Sequence, residues 1–289
     1  MHISLLGWLA LIGAIGALLV VDLFFAHRRA DHVSLREAAG WSVLWMAVGV
    51  GFGLVVLATL GGGAAGDYWA GFLMEKALSL DNVFVIAVLL TSFAVPPALK
   101  ADVLTFGIVG ALILRAVFIV AGVTLLELFH PALYAMGALL VVTGIRIARA
   151  DDGGEGFAQG RLMRGVRRVM PRPLLGALIA VAMADVVFAI DSIPAVLAIT
   201  TETFLVFAAN AFALLGLRAL YFLLDGAAQR FEYLHFGLGA LLVFVGVKML
   251  IEDWVHIPAG VSLAVIVATL GASIGTSLAL TARRERAPA

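Results

Sequence analysis

Four carboxylates and their polar neighbours, set in two long apolar runs, are the groups in this chain able to do chemistry. Glu75 and Asp81 stand six residues apart, with Asn82 following; Asp185 and Asp191 stand six apart, with Ser192 following. The two stretches, EKALSLDNVFVIAVLLTSFAVP from Glu75 and DVVFAIDSIPAVLAIT from Asp185, are otherwise apolar enough to cross a bilayer. A carboxylate at the centre of a membrane helix costs roughly 2.5–3.5 kcal/mol on insertion scales. Four of them in matched positions point to a cation site.

Helical spacing decides which of these groups share a face. Glu75, Ser79 and Asn82 lie at i, i+4 and i+7, and Asp185, Ala189 and Ser192 repeat that stripe. Asp81 and Asp191 fall about 100° off it, so an unbroken helix turns each toward the same cavity only obliquely, and a local unwinding would bring it round. Pro194 removes the hydrogen bond to the Ile190 carbonyl and predicts an irregular turn at Asp191. Phe84 stands at the matching place in the first stretch, so a break near Asp81 has no such cause. Glu75, Asp81, Asn82, Asp185, Asp191 and Ser192 form an oxygen donor set suited to Mn²⁺, Ca²⁺ or Mg²⁺. Without thiolates or a nearby His, Zn²⁺ and Cu(I) are disfavoured. Lys76, Arg115 and Arg218 lie at the same depth and are the charge-compensating bases. Static ion pairs that knit helices together are the plainer alternative for these charges.

The elements that must hold such a site are membrane helices. Of 289 residues, 63% are hydrophobic and 13% charged, with mean hydropathy +1.10; a soluble domain keeps roughly a quarter of its residues charged. The expected fold is all-α and polytopic, with nine transmembrane helices: Ile3–Phe25, Trp41–Leu60, Tyr68–Phe93, Val103–Leu126, Leu133–Ile147, Pro173–Ile199, Phe204–Leu224, Leu234–Ile251 and Ala259–Leu280. The first run has no Lys or Arg before it and reads as a retained span, not a signal peptide. Zero net charge argues against a nucleic-acid partner, and the absence of Cys removes disulfides and thiol chemistry.

With nine crossings, Arg28, Arg29, Arg36, Lys100, the run from Arg146 to Arg172, Arg230, Arg283, Arg284 and Arg286 fall on one side. That side is cytoplasmic, which puts the amino terminus outside and the carboxyl terminus inside. The loop 148–170 opens with DDGGEG and carries Arg161, Arg164, Arg167 and Arg168, a topology-setting linker or a headgroup-binding face.

An internal repeat organises the chain. GALLVVTGIR at Gly137–Arg146 reads against GALLVFVGVK at Gly239–Lys248, and Arg115, Ala116 and Phe118 read against Arg218, Ala219 and Tyr221. Three spans per unit is an odd number, so the second unit enters from the opposite side, an inverted 3+3 repeat with its site expected at the midplane. The single membrane domain 1–289 then divides into two leading helices (1–66), repeat one (67–147), the loop (148–170), repeat two (171–251) and a last helix with its tail (252–289). Gly107, Gly110, Gly137 and Gly144 are expected to permit close helix packing. Asp22 is expected in an interfacial ion pair or as a cytoplasmic ligand, and Asn210 in a helix–helix hydrogen bond or on the cavity wall.

EKALSLDNVFV, DVVFAIDSIPAV, NAFALLGLRALYF and FGLGALLVFVGVKML together resemble the TerC family of integral membrane proteins, within a lysine-exporter-like superfamily of inverted-repeat transporters. The resemblance runs from about Trp41 to Ile251 and implies Mn²⁺ as substrate ion, a bacterial inner or plasma membrane location, and an association with tellurium resistance. Tellurite is an oxyanion that a carboxylate-rich pocket repels, so resistance is better read as an indirect effect of metal balance. The leading expectation is a divalent-cation transporter exporting Mn²⁺, with the bilayer and the cation as its partners. The alternatives are a membrane scaffold that works through protein partners or homo-oligomers without transport, and an exporter of a cationic organic solute. No nucleophile–base constellation marks an enzyme.

Overall fold

A computed structural model describes residues 3–27, 35–93, 95–129, 131–149, 173–225, 234–255 and 257–286. The Arg-rich part of the loop, 150–172, lies outside the described residues, as do the side chains of Asp81 and Asp191. Where these are described, every regular element is a helix. In lipid, a helix satisfies its own backbone groups, and apolar runs of this length leave no other choice.

Ten helices follow in order among the described residues: α1 (Leu5–His27), α2 (Leu35–Leu60), α3 (Gly62–Ser92), α4 (Pro97–Leu128), α5 (Ala132–Arg149), α6 (Pro173–Leu197), α7 (Thr203–Leu214), α8 (Leu217–Asp225), α9 (Leu234–Ile251) and α10 (Ala259–Arg286). Six stretches are long and apolar enough to span a membrane: Leu5–Asp22, Arg36–Leu60, Asp102–Leu126, Ala132–Arg149, Leu174–Leu197 and Thr203–Leu223. Phe236–Ile251 and Val261–Ser277 are shorter apolar helices. Although α3 is 31 residues long, its sequence carries Asp67, Glu75, Lys76 and Asp81, charges that keep it out of a hydropathy count.

Burial is reversed relative to a soluble protein. Leu6 is 76% exposed, and α4 turns a stripe of Phe106, Ile113, Val117 and Val120 outward, while Glu75 is 0% and Arg115 1% exposed. Apolar side chains face lipid and the charges face inward. Helix α3 is the hub, packing against α2, α6, α7, α8, α9 and α10.

Two expectations about helix regularity change. Helix α6 runs unbroken from Pro173 to Leu197 with Pro194 inside it, and α3 runs unbroken through Asp81. Pro194 sits in the last turn, where one missing N–H leaves the rest of the ladder intact, and Ala198 still donates to the Pro194 carbonyl at 2.9 Å. The break falls instead in the expected seventh span, which divides into α7 and α8 at Leu215 and Gly216. Gly216 has φ +74°, and a Cβ there would lie 2.5 Å from Trp45, so only glycine fits both the backbone and the space.

Helices α5 and α9 make the most extensive pair. A Cβ on Gly144 would lie 2.6 Å from the Gly239 carbonyl, and one on Gly137 would lie 2.9 Å from the Gly246 carbonyl. The pairing is antiparallel and reciprocal: each glycine meets the counterpart of the other glycine on its own helix. Gly107 is likewise close-packed, with Val181, whereas Gly110 has open space around it. Gly144→Val should therefore force α5 and α9 apart and cost roughly 1–3 kcal/mol. Thermal melting in detergent checks this, and Gly110→Val, with no neighbour to strike, should melt close to the parent.

Candidate functional site

Three helices converge where the acidic stretches were expected to meet. Helix α3 contributes Glu75, Ser79 and Asn82, α6 contributes Asp185 and Ser192, and α4 contributes Arg115. A Cβ on Gly71 would touch Val196 at 3.2 Å, and Asn82 and Asp185 line one crevice. These two points fix α3 and α6 as antiparallel and set Glu75 level with Ser192.

One guanidinium fills the middle. Arg115 Nη1 pairs with Glu75 Oε1, and Nε donates to Asp185 Oδ1 at 3.4 Å. With its amide turned to satisfy both neighbours, Asn82 accepts from Arg115 Nη2 at 3.2 Å and donates to the Leu78 carbonyl at 3.1 Å. Two carboxylates and an amide oxygen from two helices thus share a cation tethered to a third. Arg suits this because its planar fork presents several donors at once. Glu75 Oε2, Asp185 Oδ2, Ser79 Oγ and Ser192 Oγ are buried with no hydrogen-bond partner, so the cluster has oxygen acceptors to spare.

Asn82 and Asp185 open onto a narrow crevice, otherwise walled by apolar residues that include Ala111 of α4, Leu214 of α7 and Leu217 of α8. The break between α7 and α8 is therefore part of the wall.

The other two bases do not reach the acids. Arg218 Nη2 lies 3.4 Å from Asp22 Oδ2 of α1 and also donates to the Asp22 carbonyl. Lys76 Nζ donates to the carbonyls of Ala213 and Leu215 at 3.0 and 3.1 Å. Each thus has partners of its own, apart from those of Arg115. The physical reason is the break itself: a helix end frees carbonyls that have no intrahelical donor, and a buried ammonium one residue from Glu75 satisfies two of them. Asp22, for its part, forms an ion pair with Arg218 of α8, a partner nothing in its own sequence neighbourhood pointed to.

Of the six residues expected to ligate a metal, Glu75, Asn82 and Asp185 come together around Arg115, and Ser192 lies level with Glu75. Asp81 and Asp191 lie in the helices α3 and α6, but their side chains are outside those described. Among the described residues, no group of three or more His, Asp or Glu stands close enough to hold a metal ion. What the sequence did not announce was the α7–α8 break and the cap on it; the LLGLR string was its only trace.

Residues 60–286 match the model of the integral membrane protein TerC family. An uncharacterized membrane protein of Myxococcus xanthus is 42% identical over 94% of this chain and 91% of its own. Alx of Salmonella typhi, provisionally named a membrane-bound redox modulator, is 41% identical over 86% of each chain. Alx of Escherichia coli K12 is 39% identical over 87% of this chain and 88% of its own. No solved structure matches.

Removing Arg115 strands Glu75 and Asp185 in the apolar interior, and breaking a buried pair costs roughly 3–5 kcal/mol. Arg115→Met should accordingly lower the metal-free melting temperature sharply, and adding Glu75→Gln should recover part of the loss. An Arg115→Met protein that melts like the parent would show that the pair carries no such weight.

Proposed function

The chain belongs to the TerC family of integral membrane proteins, and on that premise we propose that it is a divalent-cation transporter that exports Mn²⁺ from the cytoplasm. The observation that carries the reading is the seat itself: Glu75, Asn82 and Asp185 close around a positive charge in the interior of a bundle whose outer surface is apolar. A seat that accepts a guanidinium has the sign and the hard oxygen donors that Mn²⁺ requires.

In this reading Glu75, Asp81, Asn82, Asp185, Asp191 and Ser192 are the ligands, and Arg115 stands in for the metal when the site is empty. Mn²⁺ placed between Glu75 and Asp185 balances their two charges and releases the guanidinium. Asp81 and Asp191 add two further negative charges to the ligand shell, enough to keep the displaced guanidinium paired at its edge. Counted as one crossing, α7 and α8 bring the spans to nine. The reciprocal glycine contacts of α5 and α9 support an inverted 3+3 repeat, because a local two-fold axis generates that kind of exchange. The unequal partners of Arg115 and Arg218 fit a transporter caught in one of two related states, in which the halves exchange roles as they rock.

A second reading rests on the same seat. Since it holds a guanidinium, an organic cation carrying that group is the rival cargo. A redox role of the kind named for the Alx relatives would not run through a thiol, because this chain has no Cys.

Mn²⁺ flux in proteoliposomes tests the proposal. The parent should move Mn²⁺ in preference to arginine, and Asp81→Asn and Asp191→Asn should each reduce that flux severely; undiminished flux in both would defeat it. Orientation has its own check, made simple by a Cys-free chain. A single Cys added at the amino terminus should react with an impermeant maleimide in intact cells, and one added after Ala289 should not. The opposite labelling would overturn the orientation assigned to the chain.

A further inference from the structure

Asn210 of α7 is 1% exposed, and neither its amide oxygen nor its amide nitrogen has a hydrogen-bond partner. A buried amide left unpaired is uncommon and calls for a reason, an unplaced ion among them. Its neighbours along the helix show where it points. Val206, one turn earlier, belongs to the packed cluster of Ile119 and Val123 from α4 and Ile193 and Val196 from α6. Leu214, one turn later, walls the crevice with Ala111, Asn82 and Asp185. Residues 206, 210 and 214 form one stripe of α7, and 119, 115 and 111 form one stripe of α4. The first packs at the level of Ile119 and the last at the level of Ala111, so Asn210 stands opposite Arg115. A helix–helix hydrogen bond, the plainer role for Asn210, is not made.

We propose that Asn210 is a further ligand of the site, its amide oxygen contributed to the cation by α7 once Arg115 withdraws. This rests on the transport reading and extends it. The seat gains a neutral oxygen from a third helix, without the added charge that a fifth acid would bring. Amide carbonyls are ordinary ligands of hard divalent cations. The same helix ends at the Leu215–Gly216 break, five residues on, so an ion held by Asn210 is tied directly to the broken segment that walls the crevice.

The test is Mn²⁺ titration of the full-length purified protein, followed by thermal melting, for the parent, Asn210→Leu, Asn210→Asp and Asp185→Asn. Asn210→Leu should leave the metal-free melting temperature unchanged or higher, since it removes a buried unpaired amide, yet weaken the Mn²⁺ midpoint by about tenfold. Asn210→Asp keeps an oxygen in place and should retain binding. A purely structural asparagine would behave in the opposite way, lowering the metal-free melting temperature and leaving the midpoint alone. The inference is overturned if Asn210→Leu stays within about twofold of the parent while Asp185→Asn loses the response. A parent that shows no Mn²⁺ response at all sinks the transport reading first, and the role of Asn210 with it. Should Asn210→Leu fail to fold, Asn210→Ala removes the same oxygen with a smaller side chain and gives the same readout.

Discussion

An ionised side chain in a lipid-like interior must find an opposite charge, and everything at the centre of this protein follows from that demand. Glu75 and Arg115 are both almost wholly buried, where neither is stable alone. Their pairing, extended to Asp185 and Asn82, ties α3, α4 and α6 at one point. In the function proposed above, that tie is also the seat: acids that must keep a cation near them select cations, and a cation on a side-chain tether can leave when a better one arrives.

The same demand is met differently on the far side of α3. Lys76, one residue along, turns away from the acids to the free carbonyls of Ala213 and Leu215, and Arg218 turns to Asp22. Among the described side chains around the centre, Arg115 is shared by two acids, Glu75 and Asp185, Arg218 has Asp22, and Lys76 has the carbonyls of Ala213 and Leu215. Those charges cancel over the three sets together, with Asn82 and a helix end as the neutral acceptors. A helix terminus presents partial negative charge, which is why an ammonium settles there without a carboxylate in direct contact.

Much of this was legible in the residues themselves. Charges inside apolar runs cannot be accidental in a membrane, so the spacing of Glu75 and Asn82, and the placement of Asp185, pointed to one site before any coordinates. The glycines of GALLVVTGIR and GALLVFVGVK pointed to the close approach of α5 and α9 for a similar reason, since few residues allow backbones to touch. The α7–α8 break was not legible. Gly216 is one glycine among 31, and its positive φ reflects the Trp45 ring packed against it from α2, a contact no local pattern encodes. Pro194 misled in the opposite direction: it removes one bond of the ladder, but in the last turn few residues follow to be redirected, and Ala198 still closes on the Pro194 carbonyl. Nor could spacing assign Lys76, because an acid and a freed carbonyl attract it alike.

The two similar stretches of sequence differ where the joint falls. Ile113 of the continuous α4 stands where the later stretch has Gly216, and Phe84 stands where it has Pro194. The later stretch is divided into α7 and α8 beside the crevice, whereas α4 crosses the matching position unbroken.

The most direct measurement is an anomalous-scattering map of crystals soaked in Mn²⁺. A single strong peak within coordination distance of Glu75 and Asp185, with the Arg115 guanidinium moved off both, is the predicted result. A map with Arg115 still seated and no peak between those acids, at Mn²⁺ concentrations that support flux, would contradict the assignment of this cluster as the ion's resting place.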